Sequence, residues 1–170
     1  KVFLGSTYKS CKEQQLSLGL DLQGGMSVVL QVSLKELLVS LADNNKDANF
    51  RKALEVAEQK MITNNEDYIT LFIKSFREIS KDTKLSQLFA TRNNKDVLTF
   101  ESSDAAVEKY IRTQSGDAIN RTYSIIQSRI DQFGTKQPIV TLEPNKGRIT
   151  VEIAGVDNPA RVRKLLQATA

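Results

Sequence analysis

Twenty aspartates and glutamates, twenty-four lysines and arginines, one cysteine and no histidine bound the chemistry open to this 170-residue chain. Without an imidazole there is no histidine general acid–base step, no Ser-His-Asp triad and no histidine zinc site. Cys11 alone makes neither an internal disulfide nor a Cys-His pair, and it leaves the redox compartment open. Composition still permits Asp or Glu catalysis and an all-carboxylate metal site. The carboxylate in the most specific setting is Asp21, three residues before the pair Gly24-Gly25. These glycines do not follow a strand and open a helix, so no phosphate-cradling loop and no cofactor are expected from them.

The element that carries Asp21 is read from its alternation. Leu16, Leu18, Leu20, Leu22, Gly24, Met26, Val28, Leu30, Val32 and Leu34 hold the even positions. The odd ones, from Ser17 to Ser33, are polar or small apart from Val29. Side chains of a strand alternate between faces, so the even face is buried and Asp21 lies on the wet one. The diglycine interrupts the run without changing its parity. Glycine inside a strand marks a bend, a bulge or a close backbone.

Around this strand the chain reads as follows. Lys1 to Gln15 is a lead-in, with a short helix near Lys12. From Leu34 the period becomes helical: Leu34, Leu37, Leu38 and Leu41, then a stop at Asp43-Asn44-Asn45. Phe50, Leu54, Ala57 and Met61 outline a second helix, ended by Asn64-Asn65. Asn65 is the expected N-cap of a third, with Glu66 and Asp67 in its first turn and Tyr68, Ile69, Phe72, Ile73, Phe76 and Ile79 on its apolar side. The stripe Tyr68, Phe72, Phe76 reads as core. Short helices are expected at Leu85–Ala90 and Asp104–Arg112. Gly116 should close this helical layer and Asp117 open a new amphipathic helix, striped by Ile119, Tyr123, Ile126, Ile130 and Phe133, with Gly134 as its C-cap. A hairpin follows: Pro138 to Glu143, the turn Pro144 to Gly147, and Arg148 to Ile153. Val140 and Leu142 should face the core with Ile149, Val151 and Ile153. Asn158-Pro159 starts the last helix, which buries Val162, Leu165 and Leu166.

The resulting fold expectation is α+β: a ferredoxin-like βαββα(β) base that lacks its last strand, with a large helical insertion after the first. Residues 1–33 and 116–170 form the base and 34–115 the insertion. The absent strand belongs beside the first, which should therefore show an open edge and invite pairing. No stretch is long enough to span a membrane and no signal peptide opens the chain, so a soluble segment is expected, one whose missing Met suggests excision or processing.

Three blocks carry a family resemblance. Leu18-Gly19-Leu20-Asp21-Leu22-Gln23-Gly24-Gly25 resembles the Leu-Gly-Leu-Asp-Leu-x-Gly-Gly signature of the SecD family of bacterial protein-export membrane proteins. The run from Arg129 to Ile139, with Gly134 and Pro138, resembles that family's Arg-Val/Ile-Asp/Asn-x-Leu-Gly-Val-x-Glu-Pro stretch. Arg148 to Gly155 resembles its Arg-Ile-Val-Val-Glu-Leu-Pro-Gly strand. The departures are Phe133 and Thr135 around Gly134, Gln137 for Glu, and Ala154 for Pro. They preserve packing but remove a charge at position 137. The stretch from Leu34 to Ser115 resembles nothing named, and is expected as a lineage-specific insertion of a kind found where SecD is fused to SecF.

The resemblance implies a membrane-adjacent base of the first periplasmic domain of a bacterial inner-membrane protein. Its partners would be SecF, a SecY-type translocation channel and unfolded preprotein, and its work a late export step driven by the proton gradient. The proton-carrying acids would lie in membrane helices outside this chain. No enzymatic role is implied. Leu20, Asp21, Gly24 and Gly25 are the expected hinge, a joint between moving parts, and Arg129, Gly134, Pro138, Arg148 and Gly155 the expected structural motif.

Other function classes fit less well. Net charge is +4, but both signs are interspersed, so there is no basic footprint for nucleic acid. A ferredoxin-like RNA-binding module stacks bases on sheet aromatics, and the three expected strands hold none. A protein-interaction module on the same scaffold is the remaining alternative. Acylphosphatase-type catalysis needs an anion cradle with Arg and Asn at a strand–helix junction, and Arg148 is not so placed. The basic run Arg161, Arg163, Lys164 reads as cations near a helix C-terminus, or as a contact for anionic lipid headgroups.

Overall fold

The computed structural model describes residues 25–64, 66–132, 138–156 and 158–167. In chain order these form β1 (Gly25–Gln31), α1 (Leu34–Leu41), α2 (Ala48–Thr63), α3 (Tyr68–Ile79), α4 (Ser86–Phe89), α5 (Asp104–Gln132), β2 (Ile139–Glu143), β3 (Arg148–Ala154) and α6 (Pro159–Gln167). Single 3-10 turns occupy Arg92–Asn94 and Pro144–Lys146. The class is α+β, with one three-stranded sheet ordered β1-β3-β2.

The strands obey the alternation in the sequence. In β1 Met26 is buried and Val28 and Leu30 half-buried, while Gly25, Ser27, Val29 and Gln31 are exposed. In β3 Ile149, Val151 and Ile153 are buried, and in β2 Val140 and Leu142 are half-buried. Beyond the end of β1, the Val32 N–H donates to the Gly147 carbonyl at 2.8 Å, just ahead of β3, so the two strands run antiparallel. Gly147 is left-handed at φ 59°, and a Cβ there would sit 3.3 Å from the Val32 carbonyl oxygen. Both the turn and the close approach demand glycine. The sequence element from Leu16 to Gly24, the helix near Lys12, and the Phe133 to Gln137 part of the second motif lie outside the described residues.

The chain divides into two compact units. One takes its described residues from 1–29, 126–141 and 150–170; the other is 30–125 with 142–149. The second unit is mainly helical. Its helices start where side chains satisfy the free amides: Ser33 accepts from the Glu36 N–H, Asp47 from Phe50 and Asp67 from Thr70. Helix α1 stops at Asp43 and Asn44, both left-handed, at φ 52° and 56°. Short polar side chains tolerate that conformation better than others. In the core Phe50, Phe72 and Phe89 meet edge to face, with ring centroids 5.7–6.2 Å apart, and Phe76 stacks on Phe72. The Tyr68, Phe72, Phe76 stripe is thus interior.

Two local expectations are corrected. The N-cap of α3 is Asp67 rather than Asn65, because the Asp67 carboxylate reaches both the N–H and the hydroxyl of Thr70, at 3.0 and 2.6 Å. Gly116 does not end a helix: α5 runs unbroken for 29 residues, about 43 Å at 1.5 Å per residue. Buried Ile111 and Ile119 on either side hold the glycine inside the helix. A single glycine disfavours a helix by only about 1 kcal/mol, which tertiary burial overrides.

Candidate functional site at the sheet edge

With β3 in the middle, β1 is an edge strand among the described residues. Its sequence, Gly-Met-Ser-Val-Val-Leu-Gln, has neither charge nor proline. Protected edges carry lysines, prolines, bulges or covering segments, because a bare edge presents unpaired N–H and C=O groups. Chemically, such a strand does one thing: it forms a backbone ladder with another extended segment. Val29, 58% exposed, stands on the face away from buried Met26.

The expected motif residues are distributed around this strand and its neighbours. Leu20, Asp21, Gly24 and Gly134 lie outside the described residues. Gly25 is the exposed first residue of β1. The antiparallel arrangement puts this end of β1 beside the end of β3, where Gly155 takes φ 63° and leads toward α6. Pro138 immediately precedes β2, and Arg129 is half-buried in the last turn of α5. Arg148 opens β3, at the opposite end from Gly155. Its Nε is buried with no hydrogen-bond partner among the described residues, beside a turn closed by Lys146 and Glu143 at 3.2 Å. A buried guanidinium nitrogen is expensive to leave unpaired, which marks Arg148 among the motif residues.

Helix α6 begins as the sequence expects: Asn158 Oδ1 accepts from the Arg161 N–H at 3.1 Å, and Pro159 takes the first position. Val162 and Leu166 are buried; Arg161, Arg163 and Lys164 are exposed. Leu165 lies outside the described side chains.

The densest polar cluster was not anticipated. In the helical unit Arg112 on α5 donates to Asp67 Oδ1 at 3.1 Å and to Thr70 Oγ1 at 2.7 Å, and pairs with Glu108 at 2.9 Å. Arg77 on α3 reaches Asp104 at 3.4 Å. The start of α3 thus meets the middle of α5, and its end meets the start of α5, so the two helices are antiparallel and pinned twice. Partial burial works to raise the Asp67 pKa, but the Thr70 hydroxyl, the Thr70 N–H and Arg112 together outweigh it and leave it lowered. Beside it, burial, helped by the charge of Glu58, pushes the Tyr68 phenol far above its ordinary range, and its hydroxyl donates to the Leu54 carbonyl at 3.1 Å. The signal for its capping half, Asp67 three residues before Thr70, is present in the sequence, although the cap is expected there at Asn65. Its partner, 45 residues away, has no such signal.

Among the described residues no group of three or more His, Cys, Asp or Glu could hold a metal ion, and no helix is long and apolar enough to cross a membrane. The residues that converge are those of a backbone-pairing edge and a structural clasp.

Comparison with known proteins adds a family. Residues 119–170 match a family model described as protein translocase subunit SecDF, P1 domain, N-terminal. The whole chain is similar to the protein translocase subunit SecD of Rhodothermus marinus, 38% identical over 96% of this chain and 26% of that protein. SecD of Rickettsia typhi is 26% identical over 99% of the chain and 32% of the relative, and SecD of Escherichia coli K12 26% identical over 92% and 26%. The chain therefore spans between about a quarter and a third of the length of these relatives. No solved structure matches it.

Proposed function

This chain belongs to the SecD family of protein translocase subunits, and from that premise we propose that it is the membrane-proximal base of a periplasmic domain supporting preprotein export. In this reading residues 1–33 and 116–170 make a ferredoxin-like base and 34–115 an inserted helical layer. The parent protein sits in the bacterial inner membrane with this segment on the periplasmic side. It works with SecF and a SecY-type channel on unfolded preprotein, late in translocation and at the expense of the proton gradient, without catalysis by this segment.

The observation that carries the reading is the strand order β1-β3-β2, with the outer edge of β1 unpaired among the described residues. A βαββαβ unit stripped of its last strand has that order, and its vacant place lies beside β1. In this reading Leu20, Asp21, Gly24 and Gly25 serve as the hinge, and Arg129, Gly134, Pro138, Arg148 and Gly155 as the family's structural motif.

The test is a complementation assay in cells depleted of the native subunit, using the full-length membrane protein. Gly25→Val is expected to make precursor accumulate while destabilising the domain by only about 1 kcal/mol. Full export by that variant would remove the hinge role. Protease added to spheroplasts should cut this segment and spare cytoplasmic markers; complete protection would overturn the periplasmic assignment.

A further inference from the structure

Helix α5 is made of poor material in its middle. Thr113, Ser115, Gly116, Asn120, Thr122 and Ser124 all rank low as helix formers. Gly116 is not there for space, because a Cβ at that position would meet nothing within 4 Å. Alanine would fit, so the glycine weakens the helix without a packing return. Its neighbour Ser115 buries a hydroxyl that has no hydrogen-bond partner among the described residues, a second local weakness that alanine would relieve. Three more hydroxyls turn back on the helix ladder: Thr113 Oγ1 donates to the Lys109 carbonyl at 3.0 Å, Thr122 to Ala118 at 2.9 Å and Ser124 to Asn120 at 3.0 Å. Such bonds compete for ladder carbonyls and bend helices, and Gly/Ser pairs are common kink sites. Among the described residues, α5 is also the only helix whose residues fall in both compact units, the division lying at Ile125/Ile126, beyond the weak stretch.

We propose that residues 113–124 of α5 form a flexure centred on Ser115-Gly116, where the helix passes between a straight state and a bent or locally opened one. Closed, it is the continuous rod seen here. Open, it loosens the turn between Ile111 and Ile119 while both stay in the core of the helical unit, the segment before Gly116 remaining clasped to α3 through Arg112 and Asp104. The weak residues are then retained because a stiffer rod would work less well, a trade of stability for motion. The export part of this proposal rests on the function proposed above; the mechanical part does not.

The experiment is amide hydrogen exchange on the full-length protein in membranes, paired with export in cells. Wild-type peptides covering 113–120 should exchange faster than the flanking turn at Val107–Ile111. Gly116→Ala should slow that exchange about fivefold, the ratio expected for glycine against alanine in a helix, and should reduce export. Ser115→Ala should act in the same direction. Exchange across 113–120 as slow as in the flanks would overturn the flexure, and so would full export by a Gly116→Ala protein whose exchange has slowed. Lost export with unchanged exchange would also overturn it, replacing it with a close-contact site for a partner. If deleting the gene leaves export intact, the export reading fails while the exchange result still stands, so the two failures are distinguishable.

Discussion

In the helical unit three phenylalanine rings from α2, α3 and α4 interlock, and every long helix begins on a carboxylate or hydroxyl cap or an ion-paired end. In the unit carrying Gly25–Val29 and most of β3, the buried side chains are aliphatic, Met26, Ile126, Ile130, Val151, Ile153, Val162 and Leu166, and β1 has one edge unpaired among the described residues. The first region satisfies its own backbone and buries its own aromatics. Among its described residues the second leaves one strand edge unpaired. That contrast sets a region that buries its own aromatics beside one with a strand edge open among the described residues.

The sharpest way to break the contrast is Phe72→Ala. It removes the ring shared by two of the three T-shaped contacts and by the stack, and should destabilise the helical unit by about 3–5 kcal/mol. Chemical denaturation followed by helix signal measures this; a loss below about 1 kcal/mol would mean the aromatic core is not what holds the unit. Next comes Gly147→Ala. A side chain in the left-handed region, tight against the Val32 carbonyl, should cost about 1–2 kcal/mol and loosen the start of β3. Equal stability would show that the turn adapts.

Asp67→Ala should cost about 1 kcal/mol through the lost cap, and it also tests a pH dependence. Because the folded-state pKa of Asp67 is lowered, its contribution is fully present above the ordinary aspartate value and is lost as pH falls through the lowered one. Urea midpoints measured from pH 5 down to pH 2 should therefore drop less steeply in Asp67→Asn than in wild type. Parallel curves would remove Asp67 from the acid response. The smallest effect is expected at the bare edge itself: Val29→Lys, on an exposed face, should change folding stability by less than about 0.5 kcal/mol. A larger loss would mean that Val29 is packed in the folded chain.

Where burial follows a short-range period, the sequence was readable. The even-position parity of β1, the stop at Asp43-Asn44, the turn at Gly147 and the Asn158-Pro159 start of α6 each depend on a few adjacent residues. Gly116 was misread as a boundary because propensity is local, while the forces that keep α5 continuous come from Ile111 and Ile119 packed into a core assembled from distant chain. The start of α3 is expected at Asn65, two residues too early, for a similar reason: several polar residues in a row can cap, and only the reach to Thr70 and Arg112 selects Asp67. Of the expected hinge, Gly25 alone falls among the described residues, as the exposed start of the edge strand.

The phenol of Tyr68 offers an optical consequence. The chain has four tyrosines and no tryptophan, so tyrosine dominates its near-ultraviolet absorbance. Enclosed and bonded to the Leu54 carbonyl, this chromophore should stay un-ionised in alkali while α2 and α3 remain together. Its late appearance as phenolate would then report, without any added label, the moment the helical layer comes apart.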